Sequence, residues 1–454
     1  MEVITIAIMI SYLSILMAIG IYSSKKVRSA KGFFLADRNL NWFQITATVT
    51  ATTVGGSATI VVGGRIYAEG LPALWYDIAG ALGLIILGLY LAHKIRKTGL
   101  FTLPDITGHL YDDKVRYASA LLIFITEIAW VSLLIQASSL ILSVIVPLEY
   151  EIILIIITAI FIAYTLIGGQ YAVVYTDVIQ FFIMVIGICC IAAPLLLFKA
   201  LPNMSQLSST SLSFPINENI GFLTAASIFF MTLMPHIVGP DIYSKVLSAR
   251  NQKEAKKGVI IAGVFKFIFA LAIGSIALSA IVLYPGLENA YLAIPTAVFG
   301  LPEILGGIIL AAFLSVMLSS ADSCLLSAGT ILSVDIIRTK TIILSRIGIL
   351  FVGIIALLLA LFVTNLESFF GVSGILETLQ LAYTIFTAGL AMPVLFGFYK
   401  QKTKVTSTGA LWSLIIGGTV SVIWLYFAPN GEYAVLVGLA VSLIPLVALR
   451  EKNK

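Results

Sequence analysis

Long apolar runs recur along this chain, separated by short polar and basic gaps. A helix crossing a bilayer needs about 20 consecutive, mainly apolar residues. Thirteen runs qualify: 4–22, 42–64, 71–93, 117–146, 149–167, 173–198, 221–245, 258–284, 302–326, 341–363, 373–398, 407–427 and 432–449. The pattern predicts an all-α polytopic membrane protein with about thirteen transmembrane helices. The gaps test that count, because short cytoplasmic segments are enriched in Lys and Arg. With the N-terminus outside and the C-terminus cytoplasmic, every Lys and Arg except Arg65, Lys199 and Lys266 falls on the cytoplasmic side. Lys245, Arg250, Lys253, Lys256 and Lys257 form one such segment. A wrong count would scramble this alternation. The first run lacks a basic segment ahead of it and reads as an anchor rather than a signal peptide.

Composition agrees. The 454 residues are 60% hydrophobic and 11% charged, against about half and a quarter in soluble domains. The net charge of +5 is accounted for by topology, so nucleic acid is not an expected partner and the lipid bilayer is. No P-loop appears, so ATP is not the expected energy source. Cys189, Cys190 and Cys324 lie in apolar runs and read as reduced packing residues. No His or Cys pair has zinc spacing and no Ser/His/Asp set is arranged for hydrolysis, so the chain is not read as an enzyme.

Two spans are interrupted in the middle. One reads Ala51-Thr52-Thr53-Val54-Gly55-Gly56-Ser57, the other Met234-Pro235-His236-Ile237-Val238-Gly239-Pro240. Each opens a block of five spans, 42–198 and 221–398, and an odd number per block inverts the second relative to the first. Matching breaks in two such blocks point to an inverted-repeat transporter with its site at the breaks. Residues 1–41 precede the repeats, 199–220 form an outer loop and 399–454 hold two further spans.

Inside the run from Ile304 to Ile337 stands Ser319-Ser320-Ala321-Asp322-Ser323. A carboxylate in hydrocarbon marks an ion or substrate path by default. Ser319, Asp322 and Ser323 share one helix face at i, i+3 and i+4, and such oxygens suit a hard cation. Five other charged or polar residues bear on function. Asp177 is either a cation ligand or a helix N-cap at the cytoplasmic edge. Glu127 and Lys266 read as a structural pair. Arg65 reads as an outer-surface anchor. His236 either lines a cavity or packs.

Tyr164-Thr165-Leu166-Ile167-Gly168-Gly169-Gln170-Tyr171-Ala172-Val173-Val174-Tyr175-Thr176-Asp177 resembles the signature of the sodium:solute symporter family, which includes bacterial proline, pantothenate, sialic-acid and sugar transporters. Gln170 departs from the apolar residue usual there. The serine stretch with Ser333-Val334-Asp335 resembles the family's ninth span, and Thr408-Gly409-Ala410-Leu411-Trp412 its twelfth. The resemblance implies a leucine-transporter-type 5+5 inverted repeat with one helix before and two after. It also implies a main Na+ site of Ala51, Val54, Val316, Ser319 and Ser320, using the carbonyls of the first three. A second cation site would take Asp177, Ser319, Asp322 and Ser323, binding either Na+ or a proton. By position, the solute cavity would draw on Thr52, Thr53, Ser57, Tyr76, Trp130, Gln136, Met231, His236 and Tyr383.

The expected function is Na+-coupled symport of a small organic solute, an amino acid or small carboxylate, across the cell membrane by alternating access. Two alternatives stay open: a proton-coupled symporter of the same fold, and a solute-sensing membrane protein or channel.

Overall fold

The computed structural model describes residues 2–451 except 145, 371–373 and 430; Lys452 and Lys454, two of the expected cytoplasmic charges, lie outside this set. Among the described residues only two isolated β-bridges, Leu40 with Ala249 and Val405 with Arg450, interrupt an otherwise helical chain. In order come α1 (Glu2–Ser24), α2 (Trp42–Thr53), α3 (Ser57–Glu69), α4 (Leu71–Thr98), α5 (Asp113–Ser143), α6 (Tyr150–Met184) and α7 (Phe222–Val238). Then follow α8 (Pro240–Ser248), α9 (Gln252–Leu283), α10 (Glu303–Ile331), α11 (Ile342–Phe370), α12 (Gly374–Phe398), α13 (Ser407–Phe427) and α14 (Ala434–Ala448).

Among the described residues eleven helices are long and apolar enough to span a membrane, and the bent pair α2–α3 makes a twelfth. The count of thirteen is not reached because 149–167 falls short. Its apolar helix, Tyr150–Ala163, runs on into the next span through a kink at Gly169 (φ 56°, ψ −156°). Only glycine fits there: the left-handed φ disfavours side chains, and a Cβ would lie 2.7 Å from the Phe33 carbonyl oxygen.

Burial sorts the helices into a centre and a lipid-facing shell. The span containing α10 is 83% buried along its most apolar window, against 28% for α1. Every residue of α10 from Ile309 to Ile331 is buried. Phe198, Phe222, Phe362 and Phe427 project outward on the periphery, a surface suited to hydrocarbon rather than water.

Both expected breaks are present. Asn41 and Gln44 form a reciprocal capping box that starts α2. The helix stops at Val54 (φ −91°, ψ 44°), ahead of Gly55-Gly56, and α3 leaves at 59°. The second break falls at Gly239, which is extended (φ −63°, ψ 132°), and Pro240 opens α8, a position that tolerates its missing N–H. Helix α2 lies against α6, α8, α9 and α10, and residues of both breaks and of the serine stretch line one cavity.

Candidate ion and solute site

Helix α2 ends inside the protein, and its last carbonyls therefore lose their i+4 N–H partners. Side chains from two other helices take three of them in succession. Ser319 Oγ donates to the Ala51 carbonyl at 2.8 Å and Ser320 Oγ to that of Thr52 at 2.7 Å. Lys266 Nζ, from α9, donates to the Thr53 carbonyl at 2.6 Å. Both serine hydroxyls also lie 3.1 Å from the Val316 carbonyl of their own helix. Ala51, Val316, Ser319 and Ser320 of the expected main set are thus in mutual contact. Val54 caps the helix through its N–H to Thr50. It is the Thr52 carbonyl, absent from the expected set, that meets Ser320. The negative end of the α2 dipole points into this cluster and favours a cation. Gly55 keeps it open, since a Cβ there would lie 2.6 Å from Ser320 Oγ.

One turn further along α10 lies the second set. Ser323 Oγ sits 3.0 Å from Thr52 Oγ1 and 3.3 Å from Asp322 Oδ1, and it donates to the Ser319 carbonyl at 2.9 Å. Asp177 is fully buried within α6 and accepts a hydrogen bond from Thr48 of α2. It is therefore no N-cap; the reading as a cap fails because α6 continues through the kink at Gly169 instead of starting anew. Lys245 of α8 enters the same set: its Nζ donates to Ser323 Oγ at 2.9 Å and the residue is 0% exposed. The sequence put Lys245 among cytoplasmic charges because it ends the run 221–245. The break at Gly239 turns α8 inward instead.

A cavity of about 70 Å³ adjoins the break. Thr52, Thr53, Ser57, Trp130, His236 and Tyr383 line it, as expected from their positions, together with Asp241, Cys324 and Ser320. Trp130 and Tyr383 meet edge to face with centroids 5.6 Å apart. The indole Nε1 of Trp130 is buried without a hydrogen-bond partner among the described residues. His236 Nδ1 donates to the Thr232 carbonyl at 2.7 Å.

Three candidates do not reach this cavity. Tyr76 and Met231 line a second, smaller pocket with Arg65, Gln380 and Glu432. Gln136 is spent on Ser132 and Thr378 within the helix packing. The proposed Glu127–Lys266 pair does not form. Lys266 is paired with buried Asp77 at 3.3 Å, while Glu127 sits beside Cys324 and Ser327. Arg65 pairs with Glu69 at 2.8 Å.

Interrupted helices that expose carbonyls and buried carboxylates at one centre, in a membrane-spanning bundle, define an ion-coupled transporter. The sequence matches the sodium:solute symporter family over residues 33–417, and the chain belongs to that family. It is 24% identical over 482 residues to the sodium/glucose cotransporter of Vibrio parahaemolyticus, covering 92% of this chain and 84% of that one. It is also 24% identical over 483 residues to the sodium/proline symporter of Staphylococcus aureus strain Newman, covering 98% and 91%. The fold superposes on the substrate-bound outward-open state of a Na+-coupled sialic acid symporter with a TM-score of 0.82, 18% identity and 99% coverage of each chain. The protein is thus a Na+-coupled solute symporter of the leucine-transporter-type fold.

Proposed function

We propose that this symporter imports a small amino acid, with Na+ bound between the end of α2 and α10. The observation that carries the ion site is the run of carbonyls at Ala51 and Thr52 met by Ser319 and Ser320. Na+ at Ala51, Val54, Val316, Ser319 and Ser320 replaces hydroxyl protons as the group those carbonyls face. It holds α2 to α10 and favours the outward-open state. The residues 42–198 and 221–398 act as the two repeats that rock about this site, with the C-terminus in the cytoplasm. Ion and solute together favour closure on the outside, and low internal Na+ lets the ion leave. Coupling comes from differential binding to the two states.

The cavity supports the solute class. Asp241 supplies a carboxylate for an ammonium, and the N–H groups at the start of α3, beside Gly55 and Ser57, supply a positive dipole end for a carboxylate. Trp130 and Tyr383 provide an apolar wall with polar tips. A zwitterion satisfies both ends, whereas an uncomplemented anion faces Asp241. The test is a thermal-stability screen of purified protein against amino acids, small carboxylates, choline and sugars, with Na+ or K+. Stabilisation by an amino acid in Na+ alone is expected. Stabilisation by none of them in Na+, or by one of them equally in K+, would refute the reading.

A further inference from the structure

Lys245 is a long cationic side chain with no access to water, held in the middle of the transport machinery. Its ammonium donates to Ser323 Oγ at 2.9 Å. Through that hydroxyl it connects to Asp322 Oδ1 (3.3 Å) and to Thr52 Oγ1 (3.0 Å). The charges of both Asp177 and Asp322 interact with it. One oxygen on each carboxylate, Asp177 Oδ1 and Asp322 Oδ2, has no hydrogen-bond partner among the described residues. Two buried carboxylates side by side repel, and buried charge is retained only when it is paired or neutralised.

Ser323 is one of the four residues of the second cation set, and the Lys245 ammonium already holds its hydroxyl. At the main set the Ala51 and Thr52 carbonyls face serine hydroxyls instead. The other buried charges are engaged elsewhere. Lys266 and Asp77 pair with each other. Asp241, on the first turn of α8, also feels Lys245, but it lines the solute cavity. Glu127 neighbours Asp241 and Cys324 on the cavity side.

We propose that Lys245 is a built-in cation that takes the place of a second Na+ at Asp177, Asp322 and Ser323, so that one Na+ binds per transport cycle. The site resembling a second cation site is thereby occupied by the protein itself. The lysine also ties α8, the inner half of the second broken helix, to α10 and to Thr52 of the first. The proposal rests on the Na+ site proposed above, and the experiment separates the two.

The experiment is equilibrium binding of 22Na+ to the purified full-length protein in lipid nanodiscs, read as ions per protein and as a Hill coefficient. Wild type is expected to bind one ion with a Hill coefficient of about 1. Lys245→Met opens the site and is expected to bind two, with the coefficient rising toward 2. Lys245→Arg keeps the charge and is expected to bind one. Two ions on wild type overturn this proposal and leave the main Na+ site standing. No bound ion on wild type overturns both. One ion on a folded Lys245→Met protein, at unchanged affinity, overturns it as well. Where Lys245→Met does not fold, the wild-type and Lys245→Arg counts decide.

Discussion

Replacing Ser320 with alanine removes one hydroxyl that touches both halves of the proposed ion site. It donates to the Thr52 carbonyl at 2.7 Å and lies 3.1 Å from that of Val316. Losing such a bond and leaving a buried carbonyl unpaired costs about 1–3 kcal/mol of stability. With Na+ bound, the same oxygen is one of five around a charge. A contact to a charged group is worth about 1.5–3 kcal/mol, which converts to roughly 10- to 100-fold in affinity. Ser320→Ala is therefore expected to raise the half-saturating Na+ concentration by that factor, and Ser319→Ala by a similar one. The assay is Na+ titration of thermal stability in purified protein, with ionic strength held by choline or K+. Ser275→Ala serves as the control, because its hydroxyl bonds only to carbonyls of its own helix. Half-saturation within twofold of wild type in both Ser319→Ala and Ser320→Ala would refute the site.

Gly55→Ala drives a Cβ to 2.6 Å from Ser320 Oγ and is expected to weaken Na+ more than it weakens folding. Gly221→Ala, with nothing within 4 Å, is expected to change neither in the same titration. Lys266→Met leaves Asp77 charged and unpaired, so a stability loss of about 3–5 kcal/mol is expected in thermal or denaturant melts. The double change Lys266→Met with Asp77→Leu is expected to recover much of it; a double variant as unstable as the single one contradicts the pairing. Asp335→Asn breaks the bond to Arg116 at 2.8 Å, where Thr102 also donates at 2.7 Å. Melting temperature is expected to fall, toward the low end of that same range because Arg116 is 18% exposed. Trp130→Phe removes the unpartnered indole N–H and is expected to raise solute KM in uptake assays while Na+ half-saturation stays put.

The spans and both breaks were legible because apolar length and Gly or Pro interruptions are local signals. The serine stretch was legible for the same reason: i, i+3 and i+4 spacing on one helix face needs no tertiary knowledge. Cavity membership was harder. Met231 and His236 lie on the same helix, but five residues turn it by about 140°, so one faces the second pocket and the other the centre. Pairings across the chain were invisible. Lys266 lies 189 residues from Asp77, and Glu127 was an equally plausible partner by depth alone. Lys245 misled most, because an ammonium at the end of an apolar run is the usual topology signal. Only the geometry of the second break showed that α8 carries it inward.

The central claim is that a Na+ gradient drives the solute through this protein. Uptake into proteoliposomes tests it most directly, using the amino acid that the stability screen identifies, with inward Na+, no Na+, or a pH gradient in Na+-free buffer. The account predicts accumulation above the external concentration only with inward Na+, abolished by a Na+ ionophore and strongly reduced in Ser319→Ala. Uptake equal with and without Na+, or driven by the pH gradient alone, would contradict it.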